Sequence, residues 1–582
     1  MDSPNAPERA HAQRIQQLAE SRQRILAMSA EDALAAILDH PQPAALVHSF
    51  PETDLHFLIH DIGLQDALPI IQLASNRQWE YLLDVETWKR DRLNDAKITT
   101  WLGLLLQAAP QRLIQWCFDE KLEFMELVLF RNIDLYIRET DQSASDLGEG
   151  YLTDDDAFYV RFVDYPTTTP AEEAQKKQRN AMLGELLHRI SIFDHSRYQG
   201  LLLEAASMIP AEIEEELYRL RNVRLAEKGF LPFQEAIGIY QPLRPGELAT
   251  KGNKAFGRPS AEKGQLPVPG LAATFLEGDD LFVRGLKSIS DPHVLDLLQV
   301  ELASLCNQVI TADDQPVHGR DQLAAVVKKV SGYLSSGLEQ AISGKKGQRE
   351  TLAAKLLQRH LLADLFRCGF AGALDLHWQA TRWRKGSWFQ AQKLGLTFWD
   401  EAWMGLLGGL LLDQPKFYDP SMTGGHYRDF RSAEEIDATR DGFNQMAAID
   451  RLLADLVGSK TPPTAKGFLT FKNLLLTLWA RSWLKLSASD PAGGTIAVSR
   501  AAFRDFYQWL WTEKAGRRII DDARKEHFID WLAEASGMPD VDLRERLGAV
   551  FEGLFKEIER ELAPVLPGNL DPRYIQLFLL KA

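Results

Sequence analysis

The sequence predicts a mainly α protein: an N-terminal α-solenoid of short helices, a small β-hairpin insertion and a larger C-terminal helical region. Three observations carry that prediction. From Ile15 to about Phe130, apolar residues recur at helical spacing in short segments broken by Pro, Ser or Asn. One stretch, GEGYLTDDDAFYVRFVDY, switches to the period of two that a strand needs. Beyond about Asp291 the helical period returns in longer pieces such as HVLDLLQVELASLCNQVI and TLAAKLLQRHLLADLFRCGF.

The first block covers residues 1–140. Its fragments EDALAAILDH, ETDLHFLIHD and LQDALPIIQL align on Asp32, Asp54 and Asp66, each ahead of an apolar run. An Asp there complements the free N–H groups of a helix N-terminus. Helices this short bury their faces only by stacking on one another, hence the expectation of a solenoid. Residues 141–241 hold the hairpin and a helical block. Phe158, Val160 and Phe162 alternate with Tyr159, Arg161 and Val163, and Tyr151 and Leu152 are expected to supply the partner strand across the acidic turn at Asp154, Asp155 and Asp156. Helices resume at about Ala171. Residues 242–270, rich in Pro, Gly and Lys, read as an exposed basic linker that could meet an anionic partner. Residues 271–582 form the C-terminal helical domain, with a further loop at SDPAGGTIAVS.

Two resemblances follow from these residues. FPETDLHFLIHDIGLQDALPIIQLASNRQWEYLLDVETWKRDRLN resembles the short-helix superhelical repeats in the N-terminal domain of MgtE-type magnesium transporters, over roughly residues 30–130. That likeness implies a shape; no ion-binding residue matches position by position. RNVRLAEKGFLPFQEAIGIYQPL, with LLADLFRCGFAGALDL and YRDFRSAEEI downstream, resembles a bacterial family of unknown function over most of the chain. It implies no activity.

Composition narrows the function classes. Apolar residues make up 45% and charged residues 25% of the 582, so most of the chain can bury enough surface to offset its ordering entropy. The three cysteines, Cys117, Cys306 and Cys368, are isolated, which fits a reducing cytoplasm and leaves no disulfide framework or CxxC zinc site. The N-terminal stretch MDSPNAPERAHAQRIQQ lacks the pattern of a signal peptide, and the apolar run WMGLLGGLLL is far short of the ~20 residues a membrane helix needs. A cytoplasmic protein without a membrane span is therefore expected. The net charge of -15 disfavours broad attraction to nucleic acid unless cations cluster locally.

The strongest local cluster of that kind is LHWQATRWRKGSWFQAQKLGLTFW, residues 376–399, which has no Asp or Glu. Here Arg382, Arg384, Lys385 and Lys393 interleave with Trp378, Trp383, Trp388 and Trp399. Cations beside aromatic rings are how single strands are gripped, through phosphates and base stacking. The competing reading is a packed helix end whose basic residues complement the dipole.

His56 and His60 stand four apart, with His48 upstream, and two imidazoles at that spacing can share a metal. The HExxH pattern is not met, because Phe57 occupies the position of its Glu. A helical projection places Leu55, Leu58, Ile59 and Ile62 on one stripe and both histidines on its shoulder or solvent side, so His56 and His60 are weak metal candidates. The Asp154–Asp156 run lacks the alternation and Gly of an EF-hand, SGKKGQRET fails the P-loop spacing, and Cys368 reads as core. No catalytic constellation and no cofactor emerges. The expectation is a non-enzymatic helical scaffold or adaptor binding an unknown protein partner. Nucleic-acid or anion binding at 376–399, and a metal-dependent regulator using His48, His56 and His60, are the alternatives.

Overall fold

Small polar side chains punctuate the N-terminal chain into helices. Ser29 accepts the N–H of Asp32; Ser75 and Gln78 form a reciprocal capping box; Asn94 accepts the N–H of Lys97. The breaks between them are Pro51, ahead of one helix, and Gly63, which ends that helix with φ +102°. The computed structural model describes residues 6–139, 149–252, 254, 269–276, 278–315, 317–344, 347–422, 425–458, 469–486, 496–514 and 516–581.

Nine helices result: α1 (Ala6–Leu26), α2 (Ala30–Leu38), α3 (Pro43–Ser49), α4 (Glu52–Ile62), α5 (Leu68–Leu73), α6 (Asn76–Glu86), α7 (Asp95–Ala108), α8 (Pro110–Glu120) and α9 (Leu122–Asn132). Each packs on neighbours one or two along the chain: α2 on α4, α3 on α5, α4 on α6, α5 on α7. Asp32 and Asp54 lie in first helical turns, as the repeat alignment requires, whereas Asp66 falls in the turn before α5. A two-residue ribbon, β1 (Trp88–Lys89) and β2 (Arg92–Leu93), leads from α6 into α7.

The predicted strand exists but pairs differently. β4 (Phe158–Phe162) runs antiparallel to β3 (Ile133–Ile137), and Leu152 contributes a single bridge to Val160. The expected Tyr151–Leu152 strand is thus one residue deep. The five residues following α9 form the main partner, because Ile133 and Leu135 continue the alternation after the helix ends.

After the sheet come α10 (Pro170–Phe193), α11 (His195–Ser207) and α12 (Pro210–Ala226). α12 is tied to the first helices by charge. Arg224 grips the Asp84 carboxylate with two hydrogen bonds of 2.7 and 2.8 Å, and Glu214 accepts the Leu93 N–H and pairs with Arg92 and Arg131. Of the expected linker, residues 253 and 255–268 lie outside the described residues. The described part holds a short helix, Pro245–Thr250; Lys251 pairs with Asp364 and Lys254 with Glu301. At its far end the N–H groups of Gly270 and Leu271 donate to the buried Asp54 carboxylate. Burial pushes Asp54 up to about 6, against those two bonds and the charge of Arg22.

The chain divides into two compact units, one of residues 1–334 and 341–367, the other of residues 335–340 and 368–582. The second is built of helices that include Glu401–Leu410, Ala433–Val457, Phe471–Trp483, Asp522–Ser536 and Asp540–Leu562. Its core centres on Trp479, fully buried and met edge-on by Phe506, Phe528 and Phe555. The glycines of GLLGGL face a small hairpin there: a Cβ on Gly405 would strike the Tyr418 ring. Only two-stranded sheets occur among the described residues, so the protein is mainly α with small β-hairpins. No helix among the described residues is long and apolar enough to cross a membrane.

Candidate metal centre

The two sequence-adjacent histidines are not on a solvent face. α4 is buried from Thr53 to Ile59, so the helix has no dry and wet sides there, and the His56 side chain is 2% exposed and His60 11%. The expectation that both ride the shoulder of the helix is therefore corrected. A one-stripe projection assumes one packing partner, and α4 is packed on α2, on α6 and against the segment around Gly270.

Both rings point at Glu86, the last residue of α6. Nε2 of His56 lies 2.7 Å and Nε2 of His60 2.9 Å from Glu86 Oε1. A third imidazole arrives from far along the chain: Nδ1 of His318 is 3.1 Å from the same oxygen. His318 stacks on His60 with centroids 4.8 Å apart. The four ligand atoms all lie within 4.8 Å of one another. His48 is exposed and takes no part, and Asp61, rather than joining the cluster, pairs with Arg320 at 2.7 Å.

Local structure fixes each member. The second oxygen of Glu86 is held by the Trp101 indole N–H and by Lys97 Nζ, each at 3.3 Å, which turns Oε1 toward the histidines. His318 lies two residues ahead of the helix Arg320–Ile342; its own N–H and that of Gly319 donate to the Gln322 side chain. Arg320 anchors that start by donating to the carbonyls of Leu26 and Met28. The four residues belong to one compact unit.

The electrostatics are those of a crowded donor set. Burial pushes Glu86 up, but the contacts from His318, His56 and His60 outweigh it and hold the carboxylate well below its usual range. Burial pushes His56 down, against the hydrogen bond and charge of Glu86, which favours the neutral ring. Nδ1 of His318 is buried yet makes no hydrogen bond, because its approach to Oε1 is close but misaligned. Donor atoms that share one transition-metal ion must lie close to one another. The three nitrogens sit at 2.7–3.1 Å from Oε1.

The cluster opens on a cavity of about 840 Å³ whose lining includes His56, Glu86 and His318. Its walls are aromatic and cationic, with Trp88 and Tyr218 in contact at 5.6 Å and Lys97 and Arg221 nearby.

The Trp/Arg stretch lies in the other unit. Trp388 is buried and its indole donates to the Gly458 carbonyl; Trp383 meets Phe443 edge-on at 5.7 Å; Trp399 packs on Phe389, Phe398 and Trp403. Asp450 accepts the N–H groups of Trp388 and Phe389. Arg382, Arg384 and Lys385 are exposed, as is Trp378, at 47%. The structure thus separates most of the rings from the cations. All three cysteines are buried, and burial pushes each thiol up to about 12.

Two of the four donors, His56 and His60, are legible as a pair in the sequence. Glu86 reads as an ordinary helix-end acid in YLLDVETW, and His318 as a lone histidine in QPVHGR. The sequence signal for Glu86 is its place beside Val85 at the end of a mostly apolar helical segment.

The fold and this cluster define a mainly α protein with a three-histidine, one-carboxylate donor set. The chain belongs to a family described as Family of unknown function (DUF6178), whose profile matches residues 9–581. No curated protein and no solved structure matches it. The resemblance of residues 30–130 to the magnesium-transporter domain finds no support in these comparisons.

Proposed function

We propose that the protein binds one divalent first-row transition-metal ion through His56, His60, Glu86 and His318 and uses it on a small molecule admitted by the adjoining cavity. One observation carries this reading: three imidazole nitrogens converge on a single buried carboxylate oxygen. Without an ion the arrangement is poorly satisfied. Three protonated rings plus Lys97 would crowd positive charge around one carboxylate, and with neutral rings Oε1 takes the hydrogen bonds of His56 and His60 while the buried Nδ1 of His318, 3.1 Å away, is left without one. A cation among them relieves both.

Three neutral imidazoles and one carboxylate suit Zn²⁺, Fe²⁺, Mn²⁺ or Ni²⁺ rather than Ca²⁺ or Mg²⁺, which prefer all-oxygen shells. A bound ion would act as a Lewis acid or lower the pKa of a coordinated water. The cavity beside the donors supports a working site over a purely structural one, since structural ions are enclosed by protein ligands.

Elemental analysis of protein purified without chelator tests the reading. Near-stoichiometric metal in the wild type, lost in His60→Ala and His318→Ala variants that keep their circular dichroism, is the expected result. Metal-free wild type that takes up none of the four ions on titration would overturn it.

A second reading, a cytoplasmic helical scaffold for a protein partner, is supported by the run α1–α9, each helix packed on neighbours one or two along. Solenoids present long faces in that way. Affinity capture from native lysate with no partner above background would remove it.

A further inference from the structure

The cavity beside the metal ligands holds a cation that the protein leaves without a carboxylate. Of its basic residues, Arg90 pairs with Asp314, Arg92 with Glu214, and Lys97 with Glu86. Lys89 lies on the exposed β1–β2 ribbon. Arg221, on α12, is different. Its Nε donates to the backbone carbonyl of Asp84 at 2.6 Å and one terminal nitrogen to the Asn222 side chain at 3.2 Å. The Asp84 carboxylate itself is taken by Arg224 with two hydrogen bonds. Among the described residues no carboxylate stands at ion-pair distance from Arg221. Burial lowers its guanidinium from the ordinary value, against the attraction of Asp84, as befits a cation short of a counter-ion.

Its position is as telling as its charge. The bond to the Asp84 carbonyl anchors the guanidinium at the C-terminal turn of α6, the turn that ends in Glu86. The guanidinium also lies over the Trp88 ring, 5.6 Å from its centroid, and Trp88 in turn meets Tyr218. Phe230 and Tyr81 add a second aromatic pair to the lining, 6.4 Å apart. A fixed planar fork beside flat apolar walls is the recognition chemistry of a carboxylate on an aromatic or similarly flat body.

We propose that the cavity binds a small aryl-type carboxylate, its carboxylate on Arg221 and its ring against the aromatic wall that Trp88 and Tyr218 form together, with the rest of the molecule directed at Glu86 and His318. The proposal rests on the metal reading for what happens to that molecule. Recognition by Arg221 is independent of the ion, so the two fail separately.

The test is calorimetric titration of the full-length protein with benzoate and with its neutral counterpart benzamide at fixed ionic strength, with metal content measured on every sample. Wild type is expected to bind benzoate and to bind benzamide at least tenfold more weakly. Arg221→Met should lose benzoate at least tenfold while keeping its metal, and Arg221→Lys should recover part of the loss. Equal affinity for benzoate and benzamide in the wild type, or no benzoate binding at all, would overturn the proposal without needing any variant to fold. Unchanged benzoate affinity in a folded Arg221→Met protein would overturn it equally. Metal content decides the metal reading on its own, whichever way the titration falls.

Discussion

Trp101 donates its indole N–H to Glu86 across 3.3 Å, and the oxygen it holds is the one facing away from the three histidines. The indole therefore orients the carboxylate proposed as a metal ligand without itself joining the donor set. Trp101→Phe keeps the ring and removes the donor. Metal affinity is expected to fall about 10- to 100-fold, the usual cost of losing such a support. Competition with a chromophoric chelator measures it, and an unchanged affinity would show that Lys97 alone orients Glu86.

His48 stands on the exposed face of α3, apart from the cluster. His48→Ala should leave metal content and melting temperature as in the wild type, whereas removing metal with chelator should lower the melting temperature by an amount that grows with the affinity for the ion. Differential scanning calorimetry with and without chelator separates the two.

Glu126 on α9 is 7% exposed, and its carboxyl is pushed up to about 7, first by burial and then by the hydrogen bond and charge of Glu204 on α11, with Glu123 adding repulsion. The folded state thus holds a proton there that the unfolded chain releases at lower pH. Stability is lost as pH rises from the ordinary glutamate range toward 7, and the penalty is complete above it. Glu126→Gln should therefore stabilise the protein by on the order of 2 kcal/mol at pH 8, with the gain vanishing near pH 4. Urea melts at the two pH values give the answer.

Gly229 has φ +83°, and a Cβ there would fall 2.5 Å from the Ser304 Cα, a backbone atom that cannot swing aside. Gly229→Ala is expected to cost about 2 kcal/mol or more. Gly200, with open space around its missing Cβ, is the control; Gly200→Ala should be tolerated.

The rings of Trp383, Trp388 and Trp399 are engaged with Phe389, Phe398 and Phe443, leaving Trp378 as the exposed indole of that stretch. Stacking on bases needs free ring faces. Elution from single-stranded DNA in a salt gradient should be the same for the wild type and for Arg382→Ala, Arg384→Ala and Lys385→Ala combined. Later elution of the wild type alone would restore the nucleic-acid reading.

The helical class and the pair at His56 and His60 were legible because both are local: a period of 3.6 and a spacing of four depend on neighbours in sequence. Glu86 and His318 were not, since their convergence depends on how α6 and the segment before Arg320 pack around α4. The burial of the histidines escaped for the same reason. The sheet shows the opposite error, with locality assumed too readily. Tyr151 and Leu152 are the nearer candidates for pairing with Phe158–Phe162, yet Ile133–Ile137 forms the ladder.

The order of the ligands along the chain carries a consequence for biosynthesis. His56, His60 and Glu86 leave the ribosome early, and His318 follows only after most of the first unit has been made. On the metal reading a nascent chain would thus hold three of the four donors, two imidazoles and a carboxylate, for much of its translation. His318, held in place by the bonds of Arg320 to the carbonyls of Leu26 and Met28, completes the set. Tight loading would then serve as a stamp of completion, marking molecules whose distant segment has found its place.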